Sequence, residues 1–277
     1  MSKPIDFDAR FTKYAETWVR EQLKAGKNPD VLEEQMPELY MRFINSPAHW
    51  LDGVAPAMYF AQWDDPAVLI EKLREYDAED VAVPDLLLER LTDLGDTSIA
   101  PLMALAADDS ANRSLRLTAV NLLVELDTSE PIGLCVELIK AREKDDDVAD
   151  AAADLLRNLG MEPVDLMVEA LSDASDEAAD TFLDLLCNFK GIERVYEETV
   201  SRFLRDGEHR ALHASYLAKL GDARAIEPLT KASELIDLNY LDYIEIRDAI
   251  EALGGSLTTE REFAGDPYYE SMKRLEG

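Results

Sequence analysis

A single junction, repeated six times, limits what this chain can fold into more than any other feature. It reads Leu94-Gly95-Asp96, Leu126-Asp127-Thr128, Leu159-Gly160-Met161, Phe189-Lys190-Gly191, Leu220-Gly221-Asp222 and Leu253-Gly254-Gly255, with successive anchors 32, 33, 30, 31 and 33 residues apart. Such a period holds two helices of ~12 residues and two turns, and nothing else. The position three before each anchor reads Leu91, Leu123, Leu156, Leu186, Leu217 and Ile250. Four before reads Arg90, Leu122, Leu155, Leu185, Tyr216 and Ala249, and seven before reads Leu87, Ala119, Ala152, Phe182, His213 and Ile246. Together these columns form one apolar stripe at helical spacing. Strand signals are missing: there is no sustained alternation, and no Asn-Gly or Asp-Gly between β-branched runs. The expected fold class is all-α, an α-solenoid (superhelix) of about five to six helix pairs.

The glycine after the anchor suits the left-handed residue that ends a helix. The next helix opens on turn-favouring residues such as Asp96-Thr97-Ser98 or Asp222-Ala223-Arg224. Prolines at 101, 131, 163 and 228 are expected early in the helices that follow, where a missing amide does little harm. Segments such as 220–229 and 246–254 resemble the short HEAT-like repeats first named from phycobilin lyases, and the resemblance covers roughly residues 81–255. It implies a repeat solenoid. For function it leaves scaffolds, lyase subunits, chaperones and DNA-repair enzymes all open. The unit at Phe189-Lys190-Gly191 departs from the Leu-Gly-Asp pattern, which leaves the form of its turn open.

Residues 1–80 do not keep the phase. They read as helices over about 8–25, 29–44, 55–62 and 66–77, and they hold all three tryptophans, Trp18, Trp50 and Trp63. A divergent helical cap for the exposed end of the solenoid is the expected role, with an aromatic ligand pocket as the alternative. Residues 256–277 form a polar tail containing Phe263, Tyr268 and Tyr269, which either folds back on the last repeat or stays mobile.

With 58 acidic against 28 basic residues, the chain carries a net charge of −30. That charge repels nucleic acid and anionic membrane surfaces and favours basic partners. A general adaptation of the surface to high salt would look the same. Cys135 and Cys187 lie in apolar helical patterns, as buried free thiols do. The first residues lack the apolar core of a signal peptide, and no stretch approaches ~20 apolar residues, so a cytoplasmic protein is expected.

Three further columns lie four apart on the helix face opposite the stripe. Five before the anchor reads Glu89, Asn121, Asp154, Asp184, Ser215 and Asp248; one before reads Asp93, Glu125, Asn158, Asn188, Lys219 and Ala252; nine before reads Asp85, Leu117, Asp150, Asp180, Ala211 and Ile244. Nine of these positions are acidic and one is basic. In a solenoid the second helices line the concave side, so a ladder of carboxylates and amides is expected there. It reads either as an ordinary solvated face or as a binding groove for a basic protein or peptide. The groove reading names Asp85, Glu89, Asp93, Asn121, Glu125, Asp150, Asp154, Asn158, Asp180, Asp184, Asn188 and Asp248 as partner-binding, centred on Asp150, Asp154, Asp180 and Asp184.

Catalytic constellations are hard to find. His209 and His213 sit four apart on one helix, as metal ligands can, yet His213 falls in an apolar column and a structural role is expected. Asp145-Asp146-Asp147 lacks the glycine and closing glutamate of an EF-hand loop and reads as a helix-capping turn. No phosphate-cradling glycine loop or Gly-x-Ser-x-Gly occurs. The expected function is a non-catalytic interaction or scaffold module with no cofactor and no metal, binding a basic partner and no nucleic acid directly. The alternatives are an enzyme resembling phycobilin lyases or alkylated-base glycosylases, and an acidic mimic of nucleic acid.

Overall fold

The computed structural model describes residues 3–236, 238–257 and 261–276. Among the described residues every regular element is a helix. The chain packs as two compact units, Met1–Leu134 and Cys135–Gly277.

In the first unit, α1 (Phe7–Lys24), α2 (Pro29–Glu34) and α3 (Met36–Asn45) precede three short 3₁₀ turns, His49–Leu51, Pro56–Met58 and Phe60–Gln62. Then come α4 (Pro66–Ala78), α5 (Asp85–Asp93), α6 (Asp96–Ala106) and α7 (Arg113–Glu125). The single helix expected over 29–44 is broken at Gln35. Pro37 has no N–H for the carbonyl four residues back, so the helix restarts with proline in its first turn. The stretch 55–62 winds as 3₁₀ rather than α. Asp6, Asn28 and Asp65 cap α1, α2 and α4 by accepting from backbone amides at 2.8–3.1 Å.

Among the N-terminal aromatics Phe7, Phe43 and Phe60 are buried, while the three tryptophans are half-buried. Phe7 is buried with ring centroids 5.8, 5.7 and 5.8 Å from Trp50, Tyr59 and Phe60. This segment is tied to the repeats by Arg90, a polar residue in the apolar stripe. Its Nε donates to the Trp63 carbonyl at 3.3 Å and its Nη2 pairs with Asp64 at 2.6 Å. Tyr76, on α4, donates its hydroxyl to the Ile5 carbonyl at 2.8 Å. Helices α4 and α6 pack side by side, α5 packs on α7, and α6 on α7, the arrangement of stacked helix pairs.

Helix α8 (Ile132–Lys140) spans the division between the units. The second unit continues with α9 (Asp147–Asn158), α10 (Val164–Ala170), α11 (Asp176–Leu186), α12 (Glu193–Arg205), α13 (Arg210–Leu220), α14 (Ile226–Ser233), α15 (Tyr240–Ala252) and α16 (Pro267–Glu276). Here α9 packs on α11, α12 on α13 and α14, and α13 on α15. The stripe is the core of both units: the residues three and seven before every anchor are all exposed by 1% or less.

Each junction turns through a residue of positive φ. Gly95, Gly160, Gly221 and Gly254 take it at 57–87°, and Asp127 stands where the second junction has no glycine, at 50°. The departure at Phe189 is real. Helix α11 stops at Leu186, three residues before the anchor, and the positive φ moves to Gly191. Pro101 departs from expectation. It sits inside α6 rather than at its entry.

The tail folds back on the last repeat. Phe263 is buried against Tyr240 and Tyr243, with centroids 5.4 and 5.0 Å away, and Asp266 accepts from the Tyr240 amide at 3.1 Å. Residues 258–260 and 277 of that tail, and residues 1–2 of the N-terminal region, lie outside the described residues.

The loop between α6 and α7 carries a pH-sensitive link. Asp108 accepts from Ser110 Oγ at 2.5 Å and Arg74 Nη2 at 2.7 Å, and the hydroxyl first, then the guanidinium, hold its carboxyl down at about 2. A carboxyl depressed on folding stabilises the fold above its ordinary value of 3.8, and that contribution is lost as pH falls through about 2. The melting-temperature gap between the parent and Arg74→Met/Ser110→Ala should be flat above pH ~5 and close under stronger acid. A gap indifferent to acid would show that these bonds do not hold the proton off.

Candidate functional site: an acidic recess in the second unit

The repeat places the predicted carboxylates in register, because the columns five and nine before the anchor fall on one face of α9 and of its neighbour α11. Asp150 and Asp154 project from α9, Asp180 and Asp184 from α11. All four line one recess of about 510 Å³, with Glu143 and Asp145 from the loop before α9, Glu177, Thr181 and Tyr216. Asp146, not Asp145, caps α9, accepting from the amides of Val148 and Ala149 at 3.1 and 3.3 Å.

These carboxylates are not a bare ladder. Arg142 reaches in from the end of α8, pairing with Asp150 at 3.0 Å and donating to Thr181, so it bridges α9 and α11. Arg157 bridges the same helices one turn on, donating to Asp154 and pairing with Asp184 at 3.1 Å. Lys219 approaches Asp184 at 3.4 Å from α13. Seven carboxylates and three cations (Arg142, Lys144, Arg157) line the recess, so it stays acidic after these pairings. Glu143 and Glu177 are exposed and make no ion pair among the described residues. A neighbouring hollow of about 360 Å³ shares Arg157 and Asp184 but is walled by Leu156, Met167, Leu185 and Phe189.

Asp180 plays a different part from its neighbours. Only 17% of its side chain is exposed; it receives His213 Nε2 at 2.9 Å and Arg202 at 3.4 Å. Arg202, 5% exposed, also meets Asp176 at 3.0 Å and Glu198 at 2.9 Å. His213 is fully buried, so its ring sits in the apolar stripe and addresses Asp180 rather than solvent. With Nε2 donating to the carboxylate, Nδ1 is left as an acceptor with no hydrogen-bond partner among the described residues. His209, exposed nearby, holds its proton more tightly than usual, first through Asp206, 2.9 Å from Nδ1, and further through Asp180, against the opposing effect of partial burial. Cys187 and Cys135 are buried free thiols, raised by burial to about 11 and about 12.

The remaining predicted residues do not join this recess. Asn188 lines the apolar hollow and donates back to the Asp184 carbonyl at 2.9 Å. Asn158 is exposed. Asp248 pairs along its own helix with Arg247 at 2.9 Å. Asp85, Glu89, Asp93, Asn121 and Glu125 belong to the first unit and are exposed on α5 and α7. Asp85 there lines a separate small recess of about 60 Å³ beside Asp8 and Tyr40, whose phenol is pushed up by burial and then by Asp85, Asp8 and Glu89.

Sequence columns missed Arg142, Arg157 and Arg202. None occupies a position that repeats as a basic residue, so no column carries them; only the loop ahead of α9 and the chemistry of buried carboxylates could have hinted at them. Among the described residues no group of three or more His, Cys, Asp or Glu side chains is placed to hold a metal, and no helix is long and apolar enough to cross a membrane. Neither a family model nor a curated protein matches the chain.

Proposed function

We propose that this chain is a non-catalytic, HEAT-like interaction module that holds a basic segment of another protein on the acidic face of its second helices, centred on the recess between α9 and α11. The observation that carries this reading is the surplus of carboxylate around a recess that already holds its own arginines. Arg142 and Arg157 show that guanidinium groups fit there, and Glu143 and Glu177 offer further acceptors at the edge. Bidentate guanidinium recognition suits such a surface. The adjoining apolar hollow would take a bulky side chain of the same segment, so the fitting partner alternates basic and large apolar residues. His213 is fully buried against Asp180 and so belongs to the frame of the recess, not to its binding surface.

The test uses a nine-residue Arg-Leu-Lys repeat peptide and its Leu→Ser counterpart, titrated at low and high salt. Glu143→Gln/Asp154→Asn/Glu177→Gln should weaken the Leu-containing peptide tenfold or more, about 1.4 kcal/mol. An equal loss of charge elsewhere, Glu33→Gln/Glu38→Gln/Glu79→Gln, should change it less than twofold, and the Ser peptide should bind more weakly to the parent. Equal losses for both triple variants would reduce the effect to net charge and sink the assignment.

A further inference from the structure

The first 50 residues break with the rest of the chain in charge. They contain seven Lys and Arg against eight Asp and Glu, so almost the whole net charge of −30 lies beyond them. Two of those cations, Arg10 and Lys13, line one recess. Arg10, Lys13, Tyr14 and Thr17 follow one another at helical spacing on one face of α1, which with the end of α3 and the loop to His49 and Trp50 encloses a recess of about 450 Å³. No carboxylate lines it.

Its floor is aromatic. The Phe43 ring lies 6.3 Å from Trp50 at an interplanar angle of 22° and 5.5 Å from Tyr14. The Arg10 guanidinium stands 5.0 Å over the Trp50 ring. Lys13 and Arg10 are exposed, and neither has a carboxylate partner among the described residues. Backbone bonds fix the loop: Ala48 donates to Val54 at 3.1 Å and Gly53 to Ala48 at 2.9 Å. The recess is thus shaped before any ligand arrives.

We propose that this recess binds a small planar anion, a ring system carrying a phosphate or a carboxylate. The ring would lie against Trp50 and Tyr14, and the charge would meet Arg10 and Lys13. The volume falls in the range of small-molecule sites, about 300–1,000 Å³. Stacking and a cationic head are complementary demands: a sugar would forgo the charges, and an inorganic anion would forgo the rings. The site is independent of the acidic recess in the second unit, in place and in charge.

The experiment is calorimetric titration of the full chain with four probes: AMP, indole-3-carboxylate, adenosine and inorganic phosphate. Saturable one-site binding is expected for AMP or indole-3-carboxylate, at least tenfold tighter than for adenosine and phosphate. AMP alone would assign the anion as phosphate, and indole-3-carboxylate alone as carboxylate. Arg10→Glu and Lys13→Glu, both changes on an exposed helix face, should each weaken that binding tenfold or more without moving the melting temperature. Binding of neither ring-bearing anion, phosphate binding as tightly as AMP, or full affinity in both variants would overturn the proposal.

Discussion

Phe182→Ala should destabilise the second unit by about 3–5 kcal/mol. Phe182 is fully buried on α11, and α11 packs on α9, α10 and α12, so the lost ring leaves a void bordered by several helices. Part of the cost is the transfer energy of the ring, and part is the cavity that close-packed neighbours cannot refill. The measurement is urea unfolding followed by circular dichroism. Tryptophan fluorescence reports from the first unit, where Trp18, Trp50 and Trp63 all lie. A loss below ~1 kcal/mol would mean that the helices around α11 collapse onto the gap and are not held in one stacking register.

Arg202→Met should cost about 3–5 kcal/mol, although it removes a charged group and leaves an apolar one of similar length. Arg202 is 5% exposed and is the cation shared by Asp176, Asp180 and Glu198. Its removal leaves Asp180, itself 17% exposed, with only histidine contacts. Breaking a buried pair from one side strands the other charge, which is worse than never having had the pair. The second substitution decides the matter. Adding Asp180→Asn to Arg202→Met should recover a substantial part of the loss, giving a non-additive cycle. Strict additivity would show that Arg202 works through its stem alone. The same result bears on how binding variants are designed. Asp180 belongs to the frame, so its substitution confounds stability with affinity, whereas Asp154, with 67% of its side chain exposed, gives up only a surface pair with Arg157 when changed.

The repeat period and the columns it aligns were enough to place the helices of residues 81–255 and the residues in the core. Six leucine-type positions, recurring at 3.6-residue geometry and each followed by a turn residue, can only be buried if the helices stack. All twelve residues three and seven before the anchors are buried. The same columns brought Asp150, Asp154, Asp180 and Asp184 to one face, because residues four apart on a helix share it.

What they could not show is what each carboxylate meets. Arg142, Arg157 and Arg202 come from helices and loops outside the columns, and their pairing depends on side chains from different helices converging in space. The two polar intruders in the stripe make the same point. Arg90 and His213 look like defects in sequence, and each meets a partner far along the chain, Trp63 with Asp64 and Asp180 respectively. The division into two units is equally invisible, since the phase of the columns runs through residue 134 without interruption. Periodicity records which face of a helix is dry. Which charges neutralise one another, and where a recess keeps its acid or its base unpaired, is settled only by the packing of helices that the sequence writes far apart.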